Sequence, residues 1–232
     1  MVDTIPQNSY FVEYMKTPTK SSRTSAKGRR KSAAVERTRT AEQGRRAERV
    51  IHFLTQDELR RLFKVMKSKR DRVIFLVAYR HGLRASEIGL LQRADVDAKQ
   101  GRISIHRLKG SISGMYPMQP DVLKAIRSYL RTRSDESPYL FLSNRNVPIS
   151  RYMLHYRMQT YGEVAGLPPE KRKFHCLKHS IATHLLDAGA DLAFVKDWLG
   201  HANIQNTTIY ARLTTATLDS TARKVFASHR VV

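Results

Sequence analysis

The stretch at residues 174–213, FHCLKHSIATHLLDAGADLAFVKDWLGHANIQNTTIYARL, decides how this chain is read. Residues 176–188 carry Leu177, Ile181, Leu185 and Ala188 at helical spacing, so an amphipathic helix is expected there. Gly189 closes it, and Asp191 caps a second helix bearing Leu192, Val195, Trp198 and Leu199, which Gly200 ends. A polar turn over 202–206 then leads to Thr207-Thr208-Ile209-Tyr210. Four reactive side chains stand in fixed order on this frame: His175, Lys178, His201 and Tyr210. His175 and Lys178 are three apart, hence neighbours on one helix face, expected to turn away from the Leu177/Ile181/Leu185 stripe. His201 follows a helix-ending glycine and belongs on a turn, whereas His184 lies within the stripe and reads as a packed, structural histidine.

Upstream, the pattern stays mostly helical. TQDE at 55–58 is a capping box ahead of LRRLFKVMKS, and DRVIFLVAYRH at 71–81 is a second helix closed by Gly82. A short helix is expected over 86–91. GRISI at 101–105 alternates and is β-branched, with GSISGMYPM at 110–118 as its return strand. Helices over 120–132 and 151–165 follow, and LPPEKRK at 167–173 reads as a loop. The fold class is therefore mainly α with a small antiparallel β-sheet (α+β). Residues 1–50 lack apolar periodicity after Tyr14, and Lys and Arg far outnumber Asp and Glu there. Such a segment buries too little surface to offset its chain entropy, so a flexible basic arm is expected, centred on Lys27, Arg29, Arg30 and Lys31.

The chain has 232 residues, a formal net charge of +22 and a pI near 10.5. Charge of this sign and size points to a polyanionic partner, above all nucleic acid. The single cysteine, Cys176, excludes an intramolecular disulfide and fits a reducing compartment. There is no apolar run long enough to span a bilayer and no signal-peptide pattern, so a cytoplasmic, nucleoid-associated protein is expected.

Transfer of a phosphodiester needs a nucleophile, neutralisation of charge on the nonbridging oxygens, and an acid for the departing oxygen. Tyr210 supplies the first, but a phenol of ordinary pKa about 10 needs a cationic field or a base to attack at neutral pH. Arg84, His175, Lys178 and His201 supply that field. Lys109, in a hairpin turn, has the reach to protonate a departing 5′ oxygen. A tyrosine ester conserves the energy of the broken bond, so the chemistry calls for no cofactor. Consistently, the sequence has no GxxxxGK[ST] loop and no convincing carboxylate cluster for Mg²⁺. His175, Cys176 and His179 have partial zinc-ligand spacing, but one cysteine and no further ligand set argue against a metal.

These residues resemble the tyrosine recombinase (phage integrase) family, whose catalytic pattern runs Arg, Lys, His-x-x-Arg, His or Trp, Tyr. Gly82-Leu83-Arg84-Ala85-Ser86-Glu87-Ile88 resembles the first arginine box, with Glu87 as a supporting carboxylate, and Lys109-Gly110 resembles the hairpin lysine. His175-Cys176-Leu177-Lys178-His179-Ser180 resembles the second box, Leu199-Gly200-His201 the third, and Thr207-Thr208-Ile209-Tyr210 the nucleophile box. The resemblance spans residues 51–213 and implies the catalytic-domain fold of that family. It further implies site-specific DNA recombination through 3′-phosphotyrosyl intermediates: integration, excision or inversion of a mobile genetic element. Double-stranded DNA, a homotetramer on paired sites, accessory directionality factors and a docking role for residues 214–232 are implied partners and contacts. Two other readings share the residues: a weak or inactive DNA-binding regulator derived from a recombinase, and a type IB topoisomerase-like relaxase.

Two departures from the family pattern carry consequences. Lys178 stands where the family usually has arginine, which keeps the charge but loses the bidentate fork. A slower but active enzyme is the expectation. The family usually has an N-terminal core-binding domain; the expectation here is that the basic arm of residues 1–50 stands in its place, so that the chain resembles short members such as fimbrial inversion recombinases.

Overall fold

The computed structural model describes residues 50–108 and 110–211. The expectations for the arm (Lys27, Arg29, Arg30, Lys31), for Lys109 and for residues 214–232 lie outside the described residues. Eight α-helices and a three-stranded sheet make up the described part.

Helix α1 (Gln56–Val65) starts where the capping box places it: Thr55 Oγ1 accepts from Glu58 N at 3.2 Å, and Thr55 N donates to Glu58 Oε2 at 2.8 Å. Lys171 Nζ, from a 3₁₀ turn (Pro169–Lys171) inside the expected 167–173 loop, pairs with the same carboxylate at 2.8 Å. Helix α2 (Lys69–His81) begins two residues earlier than its apolar run suggests, because the Ser68 hydroxyl accepts from Asp71 N at 3.3 Å and caps it there. It ends at Gly82, at φ +59°. A short helix α3 (Ala85–Leu90) follows at once.

The sheet has order β1-β2-β3, all antiparallel: β1 (Val96–Asp97), β2 (Arg102–Ile105) and β3 (Gly114–Pro117). Strand β1, pairing Val96 with Ile103, is an addition to the expected hairpin. The return strand is shorter than expected. Residues 111–113 leave the ladder because Ile112 N donates to Gly200 O at 2.9 Å and Ser113 Oγ accepts from Arg107 N at 3.0 Å.

Helices α4 (Pro120–Leu130) and α5 (Arg151–Val164) lead to α6 (Cys176–Asp187), α7 (Leu192–Leu199) and α8 (Gln205–Ala211). Helix α6 packs on α2, α7 and α8 together, so it buries more than one stripe. Leu177, Ile181, Ala182 and Leu186 are interior, Leu185 is only partly buried and Ala188 is exposed. The expectation that Lys178 faces away from the apolar stripe is therefore corrected: Lys178 is buried with it. A helix enclosed on three sides has no outward face broad enough for every polar residue.

Candidate active site

Two helix-ending glycines gather the candidate residues. A Cβ on Gly82 would come within 2.6 Å of Leu199 Cδ2, and a Cβ on Gly200 within 2.6 Å of Ile112 O. Both glycines are left-handed, Gly200 at φ +66°, so each turns its chain sharply where no side chain fits. Arg84 leaves the first turn and His201 the second. The end of α2, the end of α7 and the β2–β3 loop thereby meet at one place.

Glu87 lies at the floor. Its side chain is 1% exposed and accepts from Arg84 N (2.8 Å), Arg84 Nη1 (2.7 Å) and Arg107 Nη1 (3.2 Å). Burial alone pushes its carboxyl upward, but hydrogen bonds from Arg84 and the charges of Arg107 and Lys178 outweigh that, leaving it below the usual range and ionised. Arg107 is fully buried. It donates to Gly82 O (3.0 Å), His81 O (2.9 Å) and Trp198 O (2.9 Å), tying the ends of α2 and α7 together. Arg84, by contrast, is one-third exposed and also donates to Ser111 Oγ at 3.1 Å.

Above this floor the side chains are basic and nearly dry. Lys178 donates from Nζ to Leu199 O at 2.9 Å. Its pKa is pulled down to about 7 by burial, then by Arg107 and Arg84, against the attraction of Glu87. His201 is 7% exposed, and its Nδ1 pairs with Thr207 Oγ1 at 2.9 Å. Burial first, then Lys178, Arg84, Arg107 and His179, bring it to about 4. Tyr210 is 2% exposed, on α8, with its hydroxyl 2.7 Å from His179 Nδ1. Burial raises the phenol well above its ordinary value, and the Arg84 charge offsets that only in part. The charges of Arg84 and Arg107 thus help to hold Lys178 and His201 below their ordinary values, with the buried Glu87 as the carboxylate among them. An anion placed among these groups would oppose that repulsion, so the arrangement is chemically suited to an anionic ligand.

Arg84, Glu87, Lys178, His201 and Tyr210 are thereby brought into one electrostatic neighbourhood from four separate elements. His175 stands one step out. It is exposed at the start of α6, and its ring meets His179 edge-on at 5.3 Å. His184 packs against Phe53 and Tyr79 and pairs through Nδ1 with the Tyr79 hydroxyl at 3.0 Å, the structural place expected of it. Sequence reasoning missed Arg107, Ser111, His179 and Thr207. For Arg107 a signal existed: Ile103, Ile105 and Arg107 continue one inward-facing alternation, so a cation stood at a core position. His179 gave less warning, since its hydrogen bond is to a tyrosine 31 residues away.

The Phage integrase family model matches residues 52–217. The chain belongs to the phage integrase (tyrosine recombinase) family. It is 39% identical over 166 residues to tyrosine recombinase XerA of Thermococcus kodakarensis, covering 69% of this chain and 58% of that protein. Against the type 1 fimbriae regulatory protein FimB of Escherichia coli (strain K12) the identity is 35% over 167 residues, covering 68% of this chain and 83% of FimB. The chain spans about three-fifths of the length of the XerA relatives it matches. The crystal structure of XerA recombinase superposes with a TM-score of 0.65 at 30% identity, over 78% of this chain and 65% of that one. The helical fold with its small antiparallel sheet is the tyrosine-recombinase catalytic fold. Among the described residues, no helix is long and apolar enough to cross a membrane.

Proposed function

We propose that this chain is a site-specific DNA recombinase that cleaves and rejoins strands through a 3′-phosphotyrosyl bond on Tyr210. The observation that carries this reading is the convergence of Tyr210 with Arg84, Lys178 and His201 over a buried Glu87, from elements far apart in sequence. In this reading Arg84, Lys178 and His201 neutralise the scissile phosphate, and His175 binds phosphate from the rim. Glu87 holds Arg84 in place. Lys109 protonates the departing 5′ oxygen, and no cofactor enters. The partner is double-stranded DNA, engaged by a homotetramer on paired sites. The basic arm adds phosphate contacts, residues 214–232 dock on a neighbouring subunit, and the protein works at the nucleoid. Whether a given event is integration, excision or inversion is set by the DNA sites and accessory factors.

Two features bear on the regulator reading. Burial and the neighbouring arginines pull the Lys178 pKa down to about 7, and Tyr210 is shielded from water. Both delay attack until a phosphate is seated, and both fit an enzyme that stays silent away from its site. The test is a pool of nicked duplexes with randomised core sequence, in which cleavage releases the short end and traps protein on DNA. An adduct that disappears in Tyr210→Phe supports the recombinase. Tight binding with no adduct favours the regulator, and relaxation of supercoiled plasmid without paired sites favours the topoisomerase-like reading.

A further inference from the structure

We infer that His52, His155 and Lys173 form, beside His175, a second phosphate site, which holds a backbone phosphate of the DNA strand near the one that Tyr210 attacks. Seating that phosphate is coupled to proton uptake by His52 and His155. The inference rests on the reading of double-stranded DNA as the partner and deepens it with three residues that none of the family boxes contains. Three elements deliver these side chains, each beside a core anchor. Leu54 is fully buried and its N–H donates to Ser180 Oγ at 2.8 Å, which lays the segment before α1 along α6. His52, two residues back and half-buried, thereby comes within electrostatic reach of His175 and His179. On α5, Leu154 is buried and the adjacent His155 is exposed. Phe174 is buried, with Lys173 and His175 exposed on either side of it.

The groups that act on His175 are all basic: after burial, the charges of Lys173, His155 and His52 hold it below its ordinary value. Behind it on α6 stand Lys178 and His179, basic as well. Lys171 is paired with Glu58 at 2.8 Å and Arg172 with Glu163 at 3.4 Å, so those carboxylates are already engaged. Among the described residues, none of His52, His155, Lys173 and His175 makes an ion pair. Clustered cations without a counter-charge are stabilised by an anion. A DNA strand fits because this cluster continues the one around Tyr210. The His175 ring meets that of His179 at 5.3 Å, and His179 Nδ1 lies 2.7 Å from the Tyr210 hydroxyl. A strand presents its charges in series, about 3.4 Å apart along the helix axis, so one with a phosphate at Tyr210 carries others past the start of α6. Histidine rather than lysine at two positions makes the grip depend on protonation. A histidine ordinarily changes charge between about pH 5 and 8, and a phosphate in contact favours the charged form. Affinity is therefore greatest at low pH and declines as pH rises, by up to about tenfold per pH unit for each proton taken up.

The test uses the full chain, a duplex enriched from the randomised pool by binding alone, and the double variant His52→Gln/His155→Gln. At about pH 6 the variant should bind about tenfold or more weakly than wild type, and its salt slope should be shallower by about 0.9, the share of one phosphate. At about pH 8 the two proteins should agree within about twofold in affinity and match in slope, which also shows the variant folded. The titrations of His175, Lys178, His179 and His201 enter both profiles, so the difference isolates the two replaced rings. Lys173→Met should weaken binding by a similar factor at every pH. His106→Gln, which removes an exposed histidine paired with Asp95 elsewhere on the surface, should keep the wild-type profile. Replacing single phosphates by neutral methylphosphonates then locates the contact: at one position the modification should weaken wild type and leave the double variant unaffected. A deficit in the double variant that is constant with pH, an unchanged profile, an equal effect of His106→Gln, or additive losses at every phosphate each overturns the inference. Binding that shows these effects without any adduct overturns the Tyr210 reading and leaves this site standing, whereas adduct without them overturns the inference alone.

Discussion

Replacing Arg107 by Met should unfold this protein far more readily than replacing Arg84, although both arginines touch the same carboxylate. The Arg107 side chain is 0% exposed and makes four hydrogen bonds of 2.9–3.2 Å, to His81 O, Gly82 O, Trp198 O and Glu87 Oε2. Three of those acceptors are carbonyls at or beside the ends of α2 and α7, where no intrahelical donor remains for them. Methionine fills much of the volume but donates nothing. It leaves three buried carbonyls unpaired and Glu87 with only Arg84 for a close cationic partner. Removing one member of a buried pair costs about 3–5 kcal/mol. For a chain of this size that corresponds to a drop of about 6–20 °C in melting temperature. Arg84 is one-third exposed, so Arg84→Met should cost about 1–2 kcal/mol while abolishing strand cleavage. Thermal melts of both variants, read by circular dichroism and fluorescence together, measure the difference. Equal losses in the two variants, or a drop below about 3 °C for Arg107→Met, would refute the reasoning.

Lys178→Arg should raise the rate of adduct formation, because a guanidinium restores the two-oxygen grip that an ammonium lacks, a difference worth up to about a hundredfold. An unchanged or lower rate in a single-turnover assay shows that Lys178 does not limit the reaction. Stability should also fall as the solution is acidified. His81, His179 and His201 have folded-state values of about 4, below the ordinary 6.5, so the unfolded chain binds protons first. Their contribution is fully present above about pH 6.5 and is lost progressively down to about pH 4, each group adding at most about 1.4 kcal/mol per pH unit. Lys178, lowered from 10.5 to about 7, extends the same sign upward: stability climbs with pH between those values. Denaturation at a series of pH values checks both windows, and Lys178→Met should flatten the upper one.

Much of this was legible before folding was considered, and the reasons are local. Gly82 and Gly200 announce helix ends because only glycine fits the left-handed turn under the facing atoms. Thr55 and Glu58 announce a start because each satisfies the other's main-chain donor. The positions of Arg84 and His201 follow from those turns. Burial was less legible. Lys178 sits on a helix flanked by three others, and nothing within α6 reveals how many neighbours it will meet. Strand β1 pairs over two residues only, too short to leave an alternating pattern. The hydrogen bond between His179 and Tyr210 joins α6 to α8 and depends wholly on how those helices pack. The burial of Tyr210 itself is of the same kind, since an aromatic that ends a polar helix gives no sign of whether it faces solvent.

The account rests on the phenolic oxygen of Tyr210 being the atom that takes the DNA strand. Protease digestion of the trapped protein–DNA adduct followed by mass spectrometry reads that atom's residue directly. The expected product is a peptide carrying a nucleotide 3′-phosphate on Tyr210 and on no other side chain. A nucleotide attached to a different residue, or an adduct that persists in Tyr210→Phe, contradicts the account.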